Sequence, residues 1–76
     1  MTPRLEQVYR KFGLRIRRIR THLGWTQEKL AVKINLERTS VVNMEAGRQR
    51  VQLHQVKKYA SALKTTPQRL VKGIWF

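Results

Sequence analysis

Residues 35–50 read NLERTSVVNMEAGRQR, Asn35 to Arg50, and this stretch decides the fold. Leu36, Val41 and Met44 stand at helical spacing. The residues among them, Arg38, Thr39, Ser40 and Asn43, are too polar for a helix buried on every side. Neighbouring residues of an α-helix lie about 100° apart around its axis. Val41 therefore faces inward with Leu36 and Met44, while Val42 faces outward with Arg38, Thr39 and Asn43. The helix begins near Glu37 or Arg38 and runs to about Ala46, where Gly47 stops it.

Working outward, Leu5, Val8, Tyr9, Phe12, Ile16, Ile19 and Leu23 form one apolar stripe, which predicts a first helix. Pro3 suits its first turn and Gly24 its left-handed end. Gly13 is the weak point, where the helix is expected to fray or bend. Thr26 is a suitable N-cap for a second helix reaching Ile34, with Leu30, Ala31 and Ile34 on its buried face. Asn35 tolerates the left-handed conformation needed to leave that helix. Leu53, Val56, Tyr59, Ala60 and Leu63 define a fourth helix, and Thr66-Pro67 opens a short fifth containing Leu70 and Val71. No run alternates with the period of a strand. The expected fold is all-α, a compact five-helix domain spanning residues 1–76, without repeat, linker or low-complexity segment.

Composition narrows the function. Seventeen Lys and Arg oppose four Asp and Glu, a net charge of +13. Met1 to Gly24 holds seven basic residues and one acid, and no acid follows Glu45. Such an excess repels itself in a compact state and points to a polyanionic partner. Without Cys there is neither disulfide nor thiolate metal site, and His22 and His54 are far apart. No metal or cofactor is expected. No apolar run is long enough to span a membrane, and Arg4 and Glu6 interrupt any signal sequence, so a cytosolic protein is expected. Four scattered acids, and Ser40 and Ser61 without an activating base, supply no catalytic set. An enzyme is not expected.

Two short helices joined by the tight Asn35-Leu36-Glu37 turn make a helix-turn-helix, whose second helix can enter the DNA major groove. Its outward residues suit base edges. Arg38 can bind guanine bidentately, Asn43 adenine, and Thr39 or Val42 can meet a thymine methyl. Ser40 suits a phosphate or the helix backbone.

The spaced residues Leu23-Gly24-x-Thr26-Gln27-x-x-Leu30-Ala31, Asn35-Leu36-x-Arg38-Thr39-Ser40-Val41 and Glu45-x-Gly47-Arg48 resemble the phage repressor/Cro (XRE-like) family. That family includes restriction-modification controller-type regulators. The match runs over about residues 12–71, leaving an apolar tail at 73–76. The resemblance implies a lambda-repressor-like fold and a bacterial or phage-encoded, cytoplasmic, nucleoid-associated regulator. It assigns Gln27 to a DNA phosphate and Arg48, Gln49 and Arg50 to a second backbone contact, with Arg15 or Arg17 adding to it. It also implies a partly buried Arg20–Glu45 ion pair, and a homodimer formed through C-terminal elements, where Ile74, Trp75 and Phe76 are candidates; the alternative for this apolar end is that it folds back onto the core near Leu5 and Tyr9. The sequence departs from the family pattern at Asn35 and Lys64, where Gly is frequent, and at Val51, where Pro is common. It departs also at Glu37, where a capping Ser, Thr or Asp is usual. Glu37 reads either as an acceptor for cytosine N4 or as a weak cap that penalises wrong sites.

The expected function is sequence-specific binding of double-stranded DNA by a dimeric transcriptional regulator, a repressor if it occludes a promoter. Two alternatives carry different partners. One is an antitoxin-like module bound to a protein partner and autoregulating its operon. The other is a sequence-blind nucleoid-type DNA binder.

Overall fold

A computed structural model describes residues 3–74 of the chain. Among the described residues five helices follow in order: α1 Pro3–His22, α2 Gln27–Lys33, α3 Arg38–Glu45, α4 Leu53–Ala62 and α5 Pro67–Val71. No strand occurs among the described residues. Each helix lies where the apolar spacing predicts it. The N-caps Thr26 and Thr66 accept from the backbone N–H groups of Lys29 and Arg69, and Pro67 opens α5.

One local device ends four of the five helices. After α1 the N–H of Trp25 donates to the Arg20 carbonyl and that of Gly24 to Thr21. The same pair of bonds recurs around Asn35, Gly47 and Lys64, each in the left-handed region. This is the Schellman arrangement, which satisfies carbonyls a helix end otherwise orphans. In the turn between α2 and α3, Leu36 donates to Ala31 at 2.9 Å and packs its side chain back on the core. The angle between α2 and α3 thus follows from the left-handed geometry at Asn35.

Phe12, Ile16, Leu30, Val41, Met44, Tyr59, Leu63 and Leu70 are among the buried residues that form one core. The tightest approach is between α1 and the end of α3. A Cβ at Gly13 would stand 2.4 Å from the Met44 carbonyl oxygen and 2.6 Å from that of Glu45. One at Gly47 would stand 2.7 Å from the Arg10 Cα. These two glycines let main chain lie on main chain.

Three expectations are corrected here. Gly13 does not interrupt α1, which runs unbroken through it, and it serves interhelical contact. Leu5 and Leu23, at the two ends of the α1 stripe, are exposed, since the other helices cover only its middle. Leu53 is 85% exposed rather than part of the α4 core face: at the first position of α4 it projects past the helices that cover Tyr59 and Ala60.

Candidate nucleic-acid interface

Burial divides α3 into the two faces expected of it. Val41, Met44 and Glu45 are buried, while Arg38 and Thr39 are exposed and Ser40, Val42 and Asn43 are half-buried. Arg38 and Thr39 open the helix, and Val42 and Asn43 stand one turn further on. Glu37 occupies the N-cap position and makes no side-chain cap hydrogen bond. Beyond the other end, the N–H of Arg48 donates to the Asn43 carbonyl at 3.0 Å. That bond fixes the chain carrying the exposed Arg48, Gln49 and Arg50 relative to the helix.

The inner end of α3 is held by charge. Arg20 Nε and Nη2 donate to Glu45 Oε2 and Oε1 at 2.6 and 3.0 Å. The Arg20 side chain is 9% exposed and that of Glu45 3%. A bidentate, charge-assisted pair of this kind is the strong form of the interaction. Arg20 Nη1 also donates to the Trp25 carbonyl at 2.7 Å, and Gln27 Nε2 donates to Glu45 Oε1 at 3.1 Å. One carboxylate therefore joins α1, α2 and α3. Behind it, edge-on to Phe12, lies the buried Tyr59. Burial, and secondarily the Glu45 charge, pushes its phenol up to about 12.

Arg17, Gln27, Val42 and Ala46 line an open polar cleft of about 430 Å³ above the Arg20–Glu45 pair. The sequence singles out Arg17 only as an alternative to Arg15; its place in the cleft depends on how α1 crosses α3. Trp25 carries no sequence signal, yet Lys29 and Lys33 set their ammonium groups 5.3 and 4.8 Å from its ring centroid. Cation–π attraction moderates the repulsion between these two charges.

One sequence-based assignment changes. Arg15 does not face outward toward a phosphate: its Nη1 donates to the carbonyls of Arg69, Leu70 and Lys72 at the end of α5. It serves as a C-terminal cap delivered from α1. Ile74 packs in the chain's own core and also lines an exposed apolar groove. Trp75 and Phe76 lie outside the described residues. The groove, of about 420 Å³, is lined by Val8, Tyr9, Phe12, Val56, Val71 and Ile74 among others. Leu53 also lines it, and among the described residues Lys57 is the one charged side chain along it.

Among the described residues there is no cluster of His, Asp and Glu able to hold a metal ion. No helix there is long and apolar enough to cross a membrane.

Comparison with known proteins places this geometry. The helix-turn-helix family model matches residues 16–70. Control protein C.BamHI of Bacillus amyloliquefaciens is 36% identical over 61 residues, which cover 79% of this chain and 75% of that protein. The restriction-modification controller protein C.AhdI from Aeromonas hydrophila superposes with a TM-score of 0.79 at 40% identity, covering 82% of this chain and 94% of that one. The transcription factor NHTF from Neisseria, described as hypothetical, superposes with a TM-score of 0.82 at 30% identity over 93% and 82% of the two chains.

Proposed function

The chain belongs to the helix-turn-helix family of DNA-binding transcriptional regulators, and from that premise we propose a sequence-specific regulator of restriction-modification controller type. It acts in the cytoplasm as a homodimer, with α3 of each subunit in a major groove. It represses by occluding a promoter. The observation that carries this reading is the division of α3: its inner face is consumed by the core and the Arg20 pair, and its outer face presents residue types suited to base edges. Arg38, Thr39, Val42 and Asn43 read bases, while Ser40, Gln27, Arg48, Gln49 and Arg50 hold the backbone.

A second copy docks through the groove around Leu53. Two copies of a chain with a charge of +13 repel each other, so they meet where charge is sparse and apolar area is exposed. Leu53 projects beside a groove on the same face, and a two-fold axis would set the Leu53 of each copy against the groove of the other.

Selection of bound duplexes from a random pool tests the proposal. It should return two inverted half-sites with centres one turn apart, about 34 Å, or a multiple of that spacing. Recovery of unrelated sequences would overturn it in favour of a sequence-blind binder.

A further inference from the structure

Three of the four acids have an account in the fold. Glu6 and Glu28 lie in the first turns of α1 and α2, where the helix dipole favours negative charge, and Glu45 is buried against Arg20. Glu37, at the N-cap of α3, gains from the same dipole, but Asp would gain that and a capping hydrogen bond as well. Glu37 is one methylene longer. Its exposed carboxylate makes no cap bond and, among the described residues, has no ion-pair partner. The backbone that carries it is nevertheless fixed on both sides. Leu36 donates to the Ala31 carbonyl at 2.9 Å and packs on the core, while the Glu37 carbonyl accepts from Ser40 N–H at 3.0 Å. A free acceptor is thus held at the start of the helix that presents Arg38 and Thr39.

Consecutive Cα atoms stand about 3.8 Å apart and successive phosphates of one strand about 3.4 Å along the axis, so Glu37 and Arg38 are spaced to meet adjoining base pairs. Their charges select different groups. A guanidinium donates to guanine O6 and N7, whereas a carboxylate only accepts and is repelled by phosphate. Adenine offers an amino group beside the acceptor N7, which opposes a carboxylate. Cytosine offers its N4 amino group alone.

We propose that Glu37 is a specificity-determining residue that accepts from cytosine N4 at a base pair adjoining the one met by Arg38, and that the same carboxylate repels DNA where that cytosine is missing. This rests on α3 being the reading helix, as proposed above, and adds Glu37 to the residues that read bases. One side chain then raises affinity for the right sequence and lowers it for the rest, which offsets the indiscriminate attraction of a chain with a charge of +13 for any duplex.

The native protein and Glu37→Gln are titrated against three kinds of DNA: the duplex that the native protein selects from a random pool, its single base-pair variants, and a random-sequence duplex. The native protein should prefer C·G at one position by about 5- to 150-fold, and Glu37→Gln should lose that preference. The sign of the effect should differ between duplexes. Glu37→Gln should bind the selected duplex more weakly and the random duplex more tightly, because only in the first does the charge have an amino group to accept from. Glu37→Asp keeps the charge and shortens the reach, so it should lose the cytosine preference yet bind the random duplex no more tightly than the native protein. Glu37 is exposed and bond-free, so these variants keep the fold. Tighter binding of Glu37→Gln to every duplex alike overturns the cytosine contact and leaves Glu37 facing phosphate. Unchanged binding throughout overturns it too and places Glu37 outside the interface. In both cases a native preference for the selected duplex leaves the regulator reading standing. A native protein that prefers no duplex overturns that reading and the cytosine contact together.

Discussion

Substituting Gly13 by Ala sets two physical effects against each other. In a helix interior Ala is favoured over Gly by roughly 1 kcal/mol, so propensity alone predicts a more stable protein. Contact predicts the reverse. The new Cβ would stand 2.4 Å from the Met44 oxygen, against 3.4 Å or more in ordinary contact. Helix α1 and the last turn of α3 would have to part by about 1 Å to relieve this overpacking. Both nearest atoms are main-chain oxygens of a packed helix, which cannot rotate aside as a side chain would. Overpacking costs typically about 1–3 kcal/mol, and an immovable neighbour places this case at the upper end. After the gain in propensity a net loss of about 2 kcal/mol remains. In a domain of this size each kcal/mol lowers Tm by roughly 4–8 °C, so the expected fall is about 8–16 °C. Circular dichroism melts at one fixed protein concentration would measure it, because dissociation of a dimer also moves Tm. Operator affinity should fall as well, since the shift is delivered to the end of α3 that carries Glu45. Gly24→Ala is the control: its Cβ meets nothing within 4 Å, and its positive φ costs only about 1–2 kcal/mol without moving α3. An unchanged or raised Tm for Gly13→Ala would refute the close-approach argument.

Three further outcomes test other parts of the structure. Glu45→Ala strands a buried guanidinium and should cost about 3–5 kcal/mol in urea unfolding, whereas Glu37→Ala at the exposed, bond-free cap should stay within about 0.5 kcal/mol. Equal losses would show that the Arg20 pair is not what Glu45 contributes. Leu53→Glu should leave monomer stability nearly unchanged and weaken self-association at least tenfold (about 1.4 kcal/mol) in sedimentation equilibrium; an undisturbed dimer would place the interface elsewhere. Tyr59 carries a phenol raised to about 12 in the folded chain, from about 10 when unfolded. The unfolded state therefore loses its proton first. This component of stability is complete below pH 10 or so and is lost as pH rises toward about 12. Tyr59→Phe should flatten the decline of stability over that window, and an identical decline would contradict the burial of the phenol.

Much of the fold was legible because its signals are local. Stripes of apolar residues, the Thr26 and Thr66 caps and the left-handed position at Asn35 each act within a turn or two of chain. The division of Val41 from Val42 followed from helical rotation alone. What the sequence left illegible depends on how helices cross. Gly13 reads as a weak link until α3 is laid against it, and Leu53 reads as core until the extent of its covering helices is known. Arg15 and Arg17 are two basic residues of one helix, and only the position of α5 captures the first and leaves the second in the cleft. Trp25, with its two lysines, gives no periodic or motif signal at all.

The most direct test of α3 as the reading element is a pair of affinity profiles. Arg38→Ala and Arg50→Ala would each be titrated against the selected operator and its single base-pair variants across a range of salt. Arg38→Ala should lose discrimination at one base pair, by about 1–3 kcal/mol, with little change in salt slope. Arg50→Ala should weaken every duplex alike and flatten the slope by about one unit. If Arg38→Ala weakens all duplexes uniformly and flattens the slope as Arg50→Ala does, Arg38 touches phosphate and α3 does not present this face to the bases.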